Sequence, residues 1–314
     1  MAPKIAVITG PTASGKTALG VLLCQKLGGE VVSADSMQIY RRMDIGTAKP
    51  TPEETRGVPH HMIDVADPAE NWSVARYVEA AGACVEDILA RGKLPVVVGG
   101  TGLYIDSLLS GRSFAGGPAD PALRQELNER YDEIGADALL RELSKVDPAR
   151  AEKLHPGDKK RVVRALEVFI LTGKTITQHD EETRALPPRY DAAKLALDFE
   201  NRQDLYDRID RRVDDMFRRG LMDEVRALLN SGVPETCTAM QAIGYKETVD
   251  AVRGLCSESE AAARIAQESR RYAKRQLTWL RRDGAIEWHR FGPEPDLADA
   301  LRHSTAFLRS RGIE

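Results

Sequence analysis

Residues Gly10, Pro11, Thr12, Ala13, Ser14, Gly15, Lys16 and Thr17 match G-x-x-x-x-G-K-[ST] at every fixed position, and few folds can use such a loop. Lys4–Thr9 before it is a short β-rich run. Residues 17–27 after it carry Leu19, Leu22, Leu23 and Leu27 at helical spacing, and Gly28-Gly29 stops the segment. A strand therefore passes through a glycine loop into a helix. The glycines let backbone N–H groups turn inward around phosphate oxygens, and the helix presents its positive end to them. Lys16 adds a point charge, and the Thr17 hydroxyl can hold Mg²⁺. A chance match in a Gly-rich turn is the bland alternative, and the flanking strand and helix weigh against it. The motif identifies a polyphosphate ligand. It names neither ATP nor the bond that breaks.

The same alternation continues. Residues 30–34 read as a second strand ending at Asp35-Ser36, residues 72–90 as a helix, and Leu94–Val98 as a third strand ending at Gly99-Gly100-Thr101-Gly102. Strands alternating with helices predict a parallel sheet with helices on both faces, with ligands beyond the carboxyl ends of the strands. Gly10, Asp35 and Gly99 should then line one edge. The pattern changes near Phe114. From Asp120 to about Gly173 every segment reads helical. One helix there has Asp158 as its cap, Val162, Ala165, Leu166 and Phe169 as its apolar stripe, and Gly173 as its end. Leu186-Pro187-Pro188 is a second hinge, and 195–199 a return strand. The expected fold is α/β: a P-loop NTPase-like parallel sheet flanked by helices, with an all-helical insertion domain. Its parts are a core over 1–116, the insertion over 117–188, and the rest of the core over 189–314. That last part is mostly helical, with a helix over 205–231 broken near Gly220 and a long helix over 259–282.

A chain of 314 residues with 42% hydrophobic and 30% charged residues can bury a substantial core. Its four cysteines, Cys24, Cys84, Cys237 and Cys256, show no metal-ligand spacing, so a reducing, cytoplasmic setting is expected. The loop begins too early to leave room for a signal peptide, and no apolar run approaches the ~18 residues of a membrane span. A net charge of -3 does not advertise a nucleic-acid binder. A basic patch can nevertheless sit on an acidic protein. Between 264 and 282, Arg264, Arg270, Arg271, Lys274, Arg275, Arg281 and Arg282 face one acid, Glu268. Of these, Arg264, Arg271, Arg275 and Arg282 share a helical side.

Beyond the loop, Asp35 at a strand end could ligate Mg²⁺ or serve as a general base, or merely cap a turn. Thr101 offers a side-chain hydrogen bond within a backbone-rich loop, or a tight turn and nothing more. Gln38 could read a base edge, or sit on the surface. His60 and His61 are adjacent on an extended segment and cannot both point the same way, which favours a structural role over a two-His metal site.

Taken together, these residues resemble the bacterial-type tRNA dimethylallyltransferases, also called tRNA isopentenyltransferases, over almost the whole chain. The resemblance rests on the residue 10–17 loop, Asp35-Ser36-Met37-Gln38-Ile39-Tyr40, Met43-Asp44-Ile45-Gly46-Thr47-Ala48-Lys49-Pro50 and Pro59-His60-His61-Met62-Ile63-Asp64. It extends through Val98-Gly99-Gly100-Thr101-Gly102-Leu103-Tyr104, His155-Pro156-Gly157-Asp158 and Arg161-Val162-Val163-Arg164-Ala165-Leu166-Glu167-Val168. It closes with Gly220-Leu221-Met222-Asp223-Glu224-Val225, Ala242-Ile243-Gly244-Tyr245-Lys246-Glu247 and Lys274-Arg275-Gln276-Leu277-Thr278-Trp279-Leu280-Arg281. Met240-Gln241 stands where the family commonly has Met-Arg, a departure that falls on an RNA contact and leaves the chemistry alone.

The resemblance implies transfer of a dimethylallyl group from dimethylallyl diphosphate to N6 of the adenine just 3′ of the anticodon (position 37), in tRNAs reading codons that begin with U. It implies Asp35 as the base, with Thr101 near the bridging oxygen and the substrate base. It implies that Lys16, the loop residues, Arg208 and Arg212 bind the diphosphate, with Mg²⁺ at Thr17. The tRNA anticodon stem-loop would meet Asp35, Ser36, Met37, Gln38 and Thr101. It would also meet Leu123, Lys159, Lys160, Arg161, Val162, Val163 and Arg164 of the insertion, then Met240, Gln241, Gly244, Tyr245, Lys274, Arg275 and Arg281. The adenine must leave its stack to react. A monomer is the default expectation. The rivals are an ATP-dependent small-molecule kinase, which the loop alone would favour, and a non-catalytic RNA-binding or nucleotide-sensing module.

Overall fold

The structure is a computed structural model and describes residues 2–111 and 120–314. The chain runs β1 (Lys4–Thr9), α1 (Lys16–Leu27), β2 (Gly29–Ser33), α2 (Pro52–Thr55), β3 (His60–His61), α3 (Val74–Ala90), β4 (Leu94–Val98) and α4 (Gly102–Ser110). Five helices follow: α5 (Pro121–Ile134), α6 (Ala136–Val146), α7 (Pro148–Ala151), α8 (Lys159–Thr172) and α9 (Ile176–Ala185). Then come β5 (Asp191–Phe199), α10 (Arg202–Arg218), α11 (Leu221–Asn230), α12 (Tyr245–Val252), α13 (Glu258–Leu280), β6 (Glu287–Phe291) and α14 (Leu297–Ser310).

Two compact units result. Met1–Leu109 joins Arg189–Glu314 in one, and Ser110–Pro188 forms the other. The expected boundary at 117, with the loop around Gly116, lies outside the described residues.

In the first unit the six strands form one parallel sheet in the order β3-β2-β4-β1-β5-β6. Each parallel neighbour requires a crossover, and helices supply it, covering both faces of the sheet. Ile5, Ala6, Val7 and Ile8 of β1 are accordingly buried in succession rather than alternately. Because β4 inserts between β1 and β2, the ends of β1, β2 and β4 are neighbours. Gly10, Asp35 and Thr101 follow those ends within three residues. Gly28 closes α1 in the left-handed region, with its N–H on the Cys24 carbonyl. Gly220, also left-handed at φ 98°, separates α10 from α11.

The second unit is helical throughout its described part. Its core joins Leu127, Leu139, Leu143, Ala151, Val162, Val163, Ala165 and Leu166. Asp158 occupies the N-terminal cap position of α8, but its side chain makes no capping bond. Its carboxylate instead meets the His155 N–H at 3.4 Å and Arg161 at 3.6 Å. Gly173 ends the helix as expected.

Three strands depart from the sequence expectation. β5 starts at Asp191 rather than at 195, because its first residues pair with Lys4–Thr9 despite their mixed polarity. β6, Glu-Trp-His-Arg-Phe, lies at the sheet edge against β5. β3 is two residues long and adds His60 and His61 beside β2.

Candidate active site

The loop over residues 10–17 is shaped by left-handed backbone at Ala13 and Gly15 and by Gly10 at φ 145°. A side chain on Gly10 would meet the Leu197 carbonyl at 2.7 Å and Ser14 Oγ at 2.8 Å, so only glycine fits. The loop ends in Gly15, which leads into α1 without a side-chain cap. Side chains of Ser73, Asn201, Ser257 and Asp296 cap α3, α10, α13 and α14. The first-turn amides of α1 are thus left for an external acceptor. Ser14 Oγ is buried with no hydrogen-bond partner, as expected of a loop completed by a ligand.

Positive charge converges here. Lys16 Nζ donates to the Pro11 carbonyl at 3.2 Å. From α10, Arg208 Nε donates to the Ala13 carbonyl at 3.0 Å and Arg212 to Thr12 Oγ1 at 3.3 Å. These arginines are two of the expected diphosphate residues, and both grip the loop. Burial, then the charge of Arg212, lower the Lys16 ammonium pKa to about 8 against the raising pull of the Asp35 carboxylate. Arg212 is lowered too, by burial against the pull of Asp35. Asp35 is therefore close enough for its charge to act on both cations.

Asp35 Oδ1 accepts the Met37 and Gln38 N–H groups at 2.9 and 3.3 Å. This turn holds the carboxylate at the strand end and leaves Oδ2 for a substrate. Thr101 Oγ1 accepts the Ser36 N–H at 3.2 Å, and the Thr101 N–H reaches the Ala34 carbonyl at 3.1 Å. Asp35 and Thr101 are thus laced together. Gln38 differs from expectation: its Nε2 already donates to the Thr47 and Ala48 carbonyls. In this conformation its amide nitrogen is turned toward those two carbonyls.

Three side chains missed by the sequence reading support the site. Gln276 of α13 accepts from the Thr12 N–H at 2.8 Å and donates to the Gly100 carbonyl at 2.9 Å. Tyr272, one turn earlier, has its phenol pushed up to about 12 by burial and the Asp35 charge, against hydrogen bonds with Thr101 and Gln276. Glu224 accepts the N–H groups of Asp44, Ile45 and Gly46 at 2.8, 2.7 and 3.1 Å and the Tyr245 hydroxyl at 2.6 Å. Gly46 must lack a side chain because the Tyr245 ring would stand 2.5 Å from its Cβ. Lys49 completes this loop through Asp44, Asp64 and the Tyr40 carbonyl at 2.5–2.6 Å. The residue 43–50 motif is a scaffold behind the site.

The expected RNA contacts fall in different environments. Val162 and Val163 belong to the core of the helical unit, and Met240 and Tyr245 to a core cluster of the sheet unit. Their side chains cannot meet a ligand in this conformation; Gly244 is buried beside them. Arg164 binds the fully buried Glu167 at 2.8 Å, which also holds Arg124. Arg281 is paired with Asp198 at 3.2 Å. Lys160, Arg161, Gln241, Lys274 and Arg275 are exposed, while Leu123 and Lys159 are partly so, Lys159 reaching Asp132 at 2.6 Å. The basic stripe of α13 is also less free than its sequence suggested. Arg264 pairs with Asp250, Arg270 with Asp210 and Arg271 with Glu268. His60 bonds the Val58 carbonyl and His61 bonds Glu30, each at 2.8 Å.

The IPP transferase family model matches residues 38–283, and the isopentenyl transferase model residues 3–67. The chain is 51% identical to a tRNA dimethylallyltransferase of Geobacter sulfurreducens over 285 residues, 91% of each. It is 50% identical to that of Geobacillus kaustophilus over 290 residues, 92% of this chain and 90% of the other. A full-length tRNA isopentenylpyrophosphate transferase from Bacillus halodurans superposes with a TM-score of 0.72 at 41% identity, covering 98% of both chains. A eukaryotic dimethylallyltransferase acting on tRNA gives 0.81 at 31% identity, covering 98% of this chain and 79% of that one.

Proposed function

The chain belongs to the IPP transferase family, and from that premise we propose that it transfers a dimethylallyl group from dimethylallyl diphosphate to N6 of the adenine 3′ of the anticodon in tRNA. Diphosphate is the second product. The observation that carries this reading is the convergence of Asp35 and Thr101 with the phosphate loop at one sheet edge, with the Asp35 charge bearing on Lys16 and Arg212.

The reaction makes three demands. The C1–O bond of the donor breaks, and the leaving diphosphate gains charge. The loop amides, Lys16, Arg208 and Arg212 answer that charge with donors set before the reaction begins. The allylic carbon develops cation character, so water must be kept from it. The adenine N6 is a weak nucleophile whose lone pair is shared with the ring, so it needs a base as the new C–N bond forms. Asp35 Oδ2 takes that proton, while Thr101 steers the bridging oxygen and the base. The adenine reaches this edge only by leaving its stack, at a cost of roughly a few kcal/mol.

Mg²⁺ fits this donor set. The loop offers an oxygen ligand at the Thr17 hydroxyl, and no cluster of three His, Cys, Asp or Glu side chains suited to a metal occurs among the described residues. Mg²⁺ at phosphate sites takes one or two protein oxygens and completes its shell with water and phosphate. Bound beside Thr17, it would neutralise diphosphate charge. Exposed Lys160, Arg161, Lys274 and Arg275 supply salt-sensitive affinity for the tRNA backbone. No helix among the described residues is long and apolar enough to cross a membrane.

A kinase is the alternative that the loop alone would favour. Incubation with unmodified tRNA, Mg²⁺ and radiolabelled dimethylallyl diphosphate decides between them. Label is expected in the tRNA without ATP. ATP turnover with no label in RNA would reject the proposal.

A further inference from the structure

Gln276 is 7% exposed, yet its side chain is fully used at its polar end. Oε1 takes the Thr12 N–H inside the phosphate loop, and Nε2 gives a hydrogen to the Gly100 carbonyl. Gly100 is shaped for this contact: a methyl group there would come within 2.2 Å of Nε2 and 3.3 Å of the Gly10 carbonyl oxygen. The next residue is Thr101, laced to Ala34 and Ser36 on either side of Asp35. One side chain therefore ties the diphosphate cradle to the edge that receives the adenine. Other links between β1 and the β4 loop, Thr9 Oγ1 to the Gly99 carbonyl at 2.9 Å and the Gly99 N–H to the Ile8 carbonyl at 3.1 Å, stop short of Thr12. An amide suits the task because it donates and accepts at one planar end. A carboxylate cannot donate there, and an ammonium cannot accept.

We infer that Gln276 is a positioning residue that sets the gap between the leaving diphosphate and the Asp35–Thr101 edge. The inference rests on the prenyl-transfer reading. It touches neither reacting group. It fixes how far the allylic carbon, held through its diphosphate, stands from N6. Transfer requires these atoms at about 3–3.5 Å, and an error of about 1 Å can cost about 100-fold in rate.

The test compares wild type, Gln276→Met, Gln276→Glu and Gly100→Ala in single-turnover transfer, with tRNA affinity and melting temperature measured separately. Gln276→Met keeps the length and loses both bonds. Gln276→Glu keeps the acceptor for Thr12 and sets a second acceptor against the Gly100 carbonyl. Gly100→Ala displaces the amide and leaves α13 unchanged. Transfer at saturating substrates is expected to fall about 30- to 100-fold in all three, with tRNA affinity within about twofold of wild type. If Gln276→Met does not fold, the other two variants decide. Transfer within about twofold of wild type in Gln276→Glu and Gly100→Ala would overturn the inference. So would a loss that vanishes at saturating tRNA. A wild-type protein that transfers nothing would instead remove the reading beneath it.

Discussion

Lys16 should give the reaction a pH limit that the structure locates. Burial, then the charge of Arg212, bring its ammonium pKa from 10.5 to about 8, against the opposing pull of Asp35. That difference amounts to about 3 kcal/mol disfavouring the charged form in the ligand-free protein. At a pH near 8 about half the free protein has lost this charge. A donor diphosphate in the loop would hold the proton in place, because two negative phosphates then face it. The kcat/KM for the donor at saturating tRNA should be flat below a pH of about 7 and fall roughly tenfold per pH unit above about 8, whereas kcat should break at higher pH. Arg212→Gln removes the second cause and should move the kcat/KM break upward while weakening donor binding. The stability sign is also determined. The folded pKa lies below the unfolded value, so the unfolded chain binds more protons between about 8 and 10.5. The ligand-free fold should gain stability as the pH rises through that window. The assay is initial-rate kinetics from pH 6.5 to 9.5 on wild type, Arg212→Gln and Lys16→Met. A break that persists unchanged in Lys16→Met, or none in wild type, would refute the reasoning.

Three further outcomes follow from the same geometry. Asp35→Ala should retain tRNA binding and lose most turnover, roughly 100-fold or more; normal turnover would remove Asp35 as the base. Charge reversal at Lys160 and Arg161, both exposed, should weaken tRNA affinity and flatten its salt dependence in a binding titration, and an unchanged slope would count against RNA on this helix. Glu224→Ala strips the acceptor from three backbone N–H groups and the Tyr245 hydroxyl; denaturant unfolding should show a loss of about 2–4 kcal/mol.

The legible part of the molecule was its regular part. β1 and β4 emerged from short apolar runs, and Gly28, Gly173 and Gly220 marked helix ends. Edge elements were harder to read. β6 has no continuous apolar run because only one neighbour covers it, and β3 is defined by pairing rather than by its two histidines. Within the site, the loop and Asp35 stood out because strand ends converge by topology. Gln276 and Glu224 did not, nor did Glu167 in the helical unit, although one signal was present. Each is polar at a position inside an apolar helical stripe: Gln276 between Ala273 and Leu280, Glu224 between Leu221 and Leu228, Glu167 after Val163. A polar residue in such a stripe must find partners: Gln276 and Glu224 engage both polar atoms, and Glu167 holds Arg124 and Arg164 through Oε2. The expected RNA contacts mix core and surface positions. Val162, Val163, Met240 and Tyr245 sit in motifs that also build the core, and the pairing of Arg164 and Arg281 with acids depends on distant segments that no local spacing reveals.

The proposed reaction leaves diphosphate in the loop and breaks a carbon–oxygen bond. Its most direct test is product analysis after reaction of unmodified tRNA with dimethylallyl diphosphate and Mg²⁺. One diphosphate is expected per modified tRNA, with nuclease digestion and mass spectrometry placing the five-carbon group on N6 of the adenosine 3′ of the anticodon. Release of inorganic phosphate without diphosphate, or a prenyl group at any other position, would contradict it.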